Sequence, residues 1–259
     1  MAAPRPDFEK LQASRPEFRD AEVTFTKPPN PTWKQGDGAN DGGESLKKDH
    51  VEIDPNAEGR PASSNYKLLI SGMVPRPIAL ISTKSTDGKT TNLAPFSYAQ
   101  LINHDPPLFV VGIVASLEKP KDTLKNLHET QECVINIISE HFLEAANSTS
   151  INTPYGTSEW DVSGLHQAPT SVVNPARVKE SILAIEGKLV EIKEFESKST
   201  GKKTSAMAII EGVRFWVRED AIDEAQTVID LNILKPVSRL GGITYGRTTD
   251  VIELPRPTI

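Results

Sequence analysis

The chain has 259 residues, 37% of them hydrophobic, and carries 29 Lys and Arg against 35 Asp and Glu, a net charge of −6. This length allows one large or two small domains with a real core. The acidic balance argues against nucleic acid or an anionic membrane as the main partner, and no apolar run approaches the roughly 20 residues that a membrane span requires.

The first twenty residues alternate charge and proline and offer no signal-peptide core. One cysteine, Cys133, excludes an intramolecular disulfide and fits a reducing compartment, so a cytoplasmic protein is expected. Met1 to about Asn65 is rich in Pro, Gly, Asn, Asp and Lys, and KPPNPTWKQGDGANDGGESLKKD has no apolar period able to bury a face. Residues 1–65 are therefore read as an extended arm, anchored through Trp33 on the barrel or a second subunit, and residues 66–259 as the folded domain.

Tyr66 to Ser71 (YKLLIS) is too short to assign. Pro75 and Pro77 then mark a strand entrance, and Ile78 to Ile81 form a short apolar run ending in the hydroxyls of Ser82 and Thr83. Asp87-Gly88 signals a turn, after which Asn92-Leu93-Ala94-Pro95-Phe96-Ser97 returns extended, because a residue before proline is pushed away from the helical region. Leu108 to Val114 is a further strand, bounded by Pro106-Pro107 and Ser116. Lys121-Asp122-Thr123 opens a helix expected over Thr123 to Thr130, with Leu124 and Leu127 on its apolar face. ECVINIIS supplies an inner strand in which Cys133 is a small buried hydrophobe, and Ser139 reads as the N-cap of a helix carrying Phe142, Leu143 and Ala146.

Asn147 to Pro175 breaks into turn residues around Pro154-Tyr155-Gly156, Trp160 and Gly164. A segment this long is either a cover for a substrate mouth or a surface loop pinned by Trp160. Ile182 to Phe195 and Ser205 to Val217 form a hairpin through Ser197 to Thr204, and in its second arm Val213, Phe215 and Val217 alternate with Arg214, Trp216 and Arg218, the pattern of a half-buried strand. Ala221 to Leu234 is helical or irregular, and Leu240-Gly241-Gly242 and Tyr245-Gly246-Arg247 follow with glycines that permit close backbone approach. Hairpin-linked strands with few inserted helices suit a mainly β, closed antiparallel Greek-key barrel better than a doubly wound parallel sheet.

Helix N-termini leave backbone N–H groups unpaired and carry partial positive charge, so Thr123 and Lys121 could cradle a phosphate. Equally, Asp122 could be an ordinary N-cap and Lys121 a solvated charge; spacing alone does not choose. There is no Walker-type loop, no Gly-x-Gly-x-x-Gly after a strand and no Cys/His pair at zinc spacing, so no metal is expected. His104 and His141 are open between a loop role and a neutral imidazole near a cofactor.

The ordered set PRPIALIST, NLAPFSY, DPPL, KDT, VINIIS and RLGG, spanning about Asn65 to Arg247, resembles the flavin reductase-like family, whose members fold as FMN-binding split β-barrels. The resemblance implies FMN as cofactor. Ser82, Thr83 and Asn92 would bond the ribityl chain or ring edge, Ala94, Pro95, Phe96 and Ser97 would line the isoalloxazine, and Lys121 and Thr123, with Ser116 assisting and Asp122 between them, would hold the phosphate. It also implies NADH or NADPH as a transient donor, a small-molecule acceptor, a homodimer whose partner chain completes each flavin pocket, and a partner monooxygenase as one consumer of reduced flavin. No catalytic acid or base can be named. Glu118-Lys119-Pro120 stands where an arginine would strengthen the clamp, and lysine lacks a bidentate fork. The function implied is NAD(P)H-dependent reduction of flavin or a small acceptor through bound FMN. Alternatives are an FMN-dependent oxidase or reductase of a specific small molecule, with 147–175 shaping substrate choice, and a non-catalytic flavin- or heme-binding barrel.

Overall fold

In the computed structural model, which describes residues 7–258, the chain makes two units. One comprises the described parts of Met1–Trp33 and Thr249–Ile259, the other Lys34–Thr248. In the smaller unit, helix α1 (Phe8–Ala13) starts at Asp7, whose carboxylate accepts from the Lys10 amide at 3.5 Å. Strand β1 (Thr24–Thr26) pairs in parallel with the last strand of the chain, Phe25 standing opposite Val251. Trp33, the expected anchor, keeps 44% of its surface, whereas Val23 is buried.

Residues 34–61 are irregular apart from a 3-10 turn at Glu44–Lys47. Helix α2 (Ala62–Gly72) begins directly after Pro61, a residue suited to a helix start because it has no N–H to leave unpaired. The boundary expected at residue 65 thus falls inside α2. Its polar first turn, Ala62-Ser63-Ser64-Asn65, reads as arm by composition, and only Ile70 of the whole helix is buried, so the apolar period is weak.

The chain continues through β2 (Ala79–Lys84), β3 (Thr91–Phe96), β4 (Ala99–His104), β5 (Pro107–Ile113), helix α3 (Asp122–Thr130), β6 (Glu132–Ile137), helices α4 (Leu143–Ser148) and α5 (Glu159–Ser163), and the short pair β7 (Gln167–Ala168) and β8 (Arg177–Val178). The long hairpin β9 (Leu183–Glu196) and β10 (Lys203–Val217), helix α6 (Leu231–Leu234), the pair β11 (Val237–Arg239) and β12 (Tyr245–Arg247), and β13 (Asp250–Ile252) complete it. Seven strands form one antiparallel sheet in the order β3-β2-β6-β9-β10-β5-β4. The two edge strands, β3 and β4, are consecutive in the chain and joined by Ser97-Tyr98. There the Gly112 amide donates to the Tyr98 carbonyl at 2.7 Å and β3 touches β5, turning the sheet round on itself.

Side chains of a strand alternate between faces, and β2 is buried on both. Ala79 and Ile81 join Val111, Ile113, Leu124, Leu127, Ile135 and Ile210 in the main core, which α3 covers. Leu80 instead packs with Leu93, Phe142, Trp160 and Val178 beneath α4 and α5. Cys133 is fully buried in the main core, and burial pushes its thiol up to about 12, as befits an inert hydrophobe.

Two local expectations need correction. The half-buried face expected at Val213, Phe215 and Val217 is out of phase, because a register shift between Gly212 and Arg214 moves the alternation. Buried alternation runs through Ala206, Ala208, Ile210 and Gly212, Phe215 is exposed, and Trp216 packs inward. Ser139 occupies the N-cap position of the turn before α4 but makes no capping bond; its hydroxyl is buried without a partner. Ala221 to Leu234, expected as helical or irregular, follows a 3-10 turn at Glu219–Ala221 and is irregular up to the four-residue α6, capped by Asp230.

Trp216 Nε1 donates at 2.6 Å to Glu186, a fully buried carboxylate that also accepts from the amides of Ser171, Val172 and Val173. Burial pushes this carboxyl up, and the donors together outweigh that push and leave it below its ordinary value. Glu186 thereby fastens the far end of the long irregular segment to the sheet.

Candidate functional site

The start of α3 is where the predicted motifs meet. Its N-cap residue is Lys121, in extended conformation, and no side chain caps the helix. The reading of Asp122 as an ordinary N-cap is therefore set aside. First-turn amides remain without intrahelical partners at the end of the helix where partial positive charge collects. Lys121 is exposed, and among the described residues no carboxylate lies within ion-pair distance of its ammonium.

Behind this turn lies a buried polar cluster. Asn92 Nδ2 donates to Thr123 Oγ1 at 2.8 Å, Asn126 Nδ2 donates to Thr83 Oγ1 at 3.2 Å, and the Tyr155 hydroxyl donates to Asn126 Oδ1 at 3.2 Å. The register explains the grouping, because Thr83 of β2 pairs with Asn92 of β3, so both side chains share the face that α3 covers.

In front of it opens a first cleft of about 260 Å³, lined by Asn92, Ala94, Pro95, Phe96, Lys121, Asp122, Thr123, residues 149–153 and Glu159. Glu159 is buried, yet its carboxylate is not idle. It accepts from the Leu93 amide at 3.0 Å and from the Thr153 hydroxyl at 2.9 Å, tying the 149–153 wall to edge strand β3. Burial raises the carboxyl of neighbouring Asp122, and the charge of Glu159 raises it further. The long segment thus lines the cleft and is also pinned by the buried Trp160.

A second cleft of about 200 Å³ shares Pro95, Phe96 and Lys121 with the first and adds Tyr66, Arg76, Ser97, Tyr98 and Arg239. Arg76 is held by three carbonyls, with Nη1 donating to Ile70 and Met73 and Nη2 to Leu240, while its buried Nε has no partner. Arg239 Nη2 donates to the Gly242 carbonyl at 2.8 Å, and its guanidinium stacks 4.5 Å above the Tyr245 ring. Alongside runs an apolar groove of about 830 Å³ between α2 and the start of β4, bordered by Leu69, Met73, Val74 and Tyr98.

Of the predicted site residues, Thr83, Asn92, Ala94, Pro95, Phe96, Lys121, Asp122 and Thr123 come together at the first cleft or directly behind it, and Ser97 lines the second. Ser82 does not join them. Adjacent strand residues point to opposite faces, and its hydroxyl donates to the Ala176 carbonyl on the other side of the sheet. Ser116 is buried and accepts from the Lys119 amide at 3.3 Å, closing the turn ahead of Lys121; it lines neither cleft. His104 is exposed at the end of β4, and His141 Nε2 donates to the Glu180 carbonyl.

Sequence reasoning missed Asn126, Tyr155, Glu159, Arg76 and Arg239. Asn126 had a signal, since a residue three beyond Thr123 shares its helical face. Arg76 and Arg239 sit inside PRP and RLGG, read only for their prolines and glycines. Glu159 had none, because nothing local reveals that a carboxylate in an irregular segment is buried.

The model of the flavin reductase-like domain matches residues 71–233. An uncharacterized protein of Halalkalibacterium halodurans is 34% identical over 210 residues, covering 81% of this chain and 98% of its own. Among solved structures, nitrilotriacetate monooxygenase component B from Bacillus cereus is 30% identical, with a TM-score of 0.74 over 80% of this chain and all of that one. The 2-nitrobenzoate 2-nitroreductase NbaA of Pseudomonas fluorescens is also 30% identical, with a TM-score of 0.69 over 81% of this chain and 97% of its own. The antiparallel sheet closed at one corner and the helices inserted around it are the split-barrel fold of these proteins, and the chain belongs to the flavin reductase-like family.

Proposed function

We propose that this protein is an FMN-dependent oxidoreductase of the NAD(P)H:flavin reductase type. The observation that carries this reading is the uncapped start of α3, with unpaired Lys121 and the Thr123 hydroxyl in front and the Asn92 and Asn126 amides behind. The family binds FMN, and the donor set here fits it. An ammonium, a hydroxyl and free helix amides suit a phosphate, while Ala94, Pro95 and Phe96 offer a mostly apolar wall for a flat ring.

In this reading Lys121 and Thr123 hold the phosphate. Asn92 occupies one lone pair of Thr123 Oγ1 and so leaves the hydroxyl proton free to point into the cleft. Ala94 to Ser97 line the ring. Because β3 is an edge strand, its outer backbone groups are not consumed by the sheet; of these the Leu93 amide is taken by Glu159 and Pro95 has no N–H, which leaves carbonyls to a ligand. Glu159 and Thr153 hold the opposite wall and limit access of water. Bound FMN would supply a two-electron carrier between a nicotinamide donor and a small acceptor. The chain's contribution is position and electrostatics.

A homodimer belongs to the same proposal. Leu69, Met73, Val74, Leu101 and Ile102 are all more than 40% exposed on α2, β4 and the segment following α2, apolar side chains that a second copy would cover. The likeness to a monooxygenase component B supports a role in delivering reduced flavin to a partner enzyme. Among the described residues no helix is long and apolar enough to cross a membrane, and a cytoplasmic setting is part of the proposal.

The test is the visible spectrum of the purified protein, repeated anaerobically with NADH or NADPH. Flavin bands that bleach, and FMN affinity that falls in Thr123→Ala and Lys121→Ala, are expected. A colourless protein that takes up no added FMN would overturn the reading, and unchanged affinity in both variants would overturn the phosphate assignment.

A further inference from the structure

The second cleft has a charge pattern that a flavin phosphate at α3 does not account for. We infer that it binds a small aromatic carboxylate, held between Arg76, Arg239 and Lys121 and walled by Tyr66, Tyr98 and Phe96. Three cations line it and no carboxylate does, in a chain whose net charge is −6. Among the described residues none of the three makes an ion pair. Their hydrogen bonds go elsewhere. Arg76 spends its Nη donors on three carbonyls and Arg239 one on the Gly242 carbonyl, contacts that fix each guanidinium without cancelling its charge. Cations already held in place need little reorganisation to receive an anion.

Size narrows the ligand class. Pockets for drug-sized molecules run about 300–1,000 Å³. At about 200 Å³ this cleft fits a single ring with a substituent. Three aromatic walls favour a flat ring; Arg239, with one Nη2 bond to the Gly242 carbonyl, keeps donors for a planar carboxylate, while Arg76, its Nη1 spent on two carbonyls and its Nε buried, contributes charge alone. Tyr98 is seated where it is because residue 112 is glycine, since a Cβ there would lie 3.1 Å from the Tyr98 Cβ. Burial raises the phenol of Tyr98, which therefore stays a neutral donor at the pH of a cell.

The clefts share Pro95, Phe96 and Lys121, which puts the carboxylate beside the surface assigned above to the flavin ring. That this ligand is the electron acceptor rests on the flavin reading; that it binds does not.

The experiment is calorimetric titration of the full-length protein, with FMN added, using benzoate and its neutral counterpart benzyl alcohol. Benzoate is expected to bind at least about tenfold more tightly, the worth of one charged hydrogen bond. Arg239→Gln should erase that preference while leaving FMN affinity and benzyl alcohol unchanged, and Arg239→Lys, which keeps the charge, should retain part of it. Equal affinities for the two probes, or a preference that survives Arg239→Gln, would overturn the inference. Inorganic phosphate displacing benzoate at lower concentration than benzoate itself requires would also overturn it, in favour of a donor nucleotide's phosphates. FMN bound tightly with no preference for benzoate would sink this site and leave the flavin reading intact; benzoate bound as expected without FMN uptake would do the reverse.

Discussion

The two clefts lie on either side of Pro95 and Phe96 and share Lys121, yet they are electrostatic opposites. The first carries two carboxylates, Asp122 and Glu159, and takes its positive potential from one lysine and the uncapped helix start. The second carries two arginines with the same lysine and no carboxylate. The difference teaches that an anion in the first cleft must be held by directed donors against opposing charge, whereas in the second the field itself is attractive. Geometry should therefore dominate the first cleft and net charge the second.

Three substitutions would break or sharpen this contrast. The largest effect is expected from Glu159→Ala. It strips the Leu93 amide and the Thr153 hydroxyl of their acceptor, and each buried group left unpaired costs about 1–3 kcal/mol. Thermal melting should show the loss, and FMN titration should show a weakened first cleft, with benzoate binding measured in the absence of FMN unaltered. If both ligands weaken in parallel, the clefts are not separately built.

Next is Thr123→Val, which keeps shape and removes the hydroxyl, leaving the Asn92 amide without its acceptor. FMN affinity should fall about tenfold, in line with one lost hydrogen bond to a charged group. A fall that disappears at high salt would indicate that charge and not geometry governs this cleft.

The smallest effect is expected from Asp122→Asn, and its sign is the informative part. Burial and Glu159 hold the folded-state value of Asp122 above its unfolded value of 3.8. The native state therefore prefers the protonated carboxyl, a stabilisation present below 3.8 and lost as pH rises through the folded value. At neutral pH the asparagine variant should be somewhat more stable and bind FMN a few-fold more tightly, about the worth of one part-exposed charge interaction. Both advantages should vanish as the pH falls and wild-type Asp122 becomes protonated. Tighter binding by the wild type at neutral pH would show that Asp122 assists the phosphate.

The strands were legible because apolar runs bounded by proline or turn residues leave little choice, as Ile78 to Ile81 and Leu108 to Val114 illustrate. The cradle at Lys121 and Thr123 was legible as a possibility, and of the competing reading the structure sets aside the Asp122 cap while leaving Lys121 an exposed charge. Ser82 shows a different failure. The strict alternation of a strand already separates it from Thr83, but the two were read together as one hydroxyl tip. Glu159 and the arginines were beyond local reasoning, since what matters about them is a fold-wide fact, namely which backbone groups and which other charges arrive beside them. The phase of β10 was lost for the same reason, because a bulge at Gly212 is a decision of the pairing partners and not of the strand.

Lys121 faces both clefts, and that sharing makes the two occupancies interdependent. One ammonium cannot fully compensate two anions, so a phosphate on one side lowers the affinity for a carboxylate on the other, and the carboxylate lowers the affinity for the phosphate by the same factor. In such an arrangement the doubly loaded protein is the least favoured state, and each guest is held most tightly when it is alone.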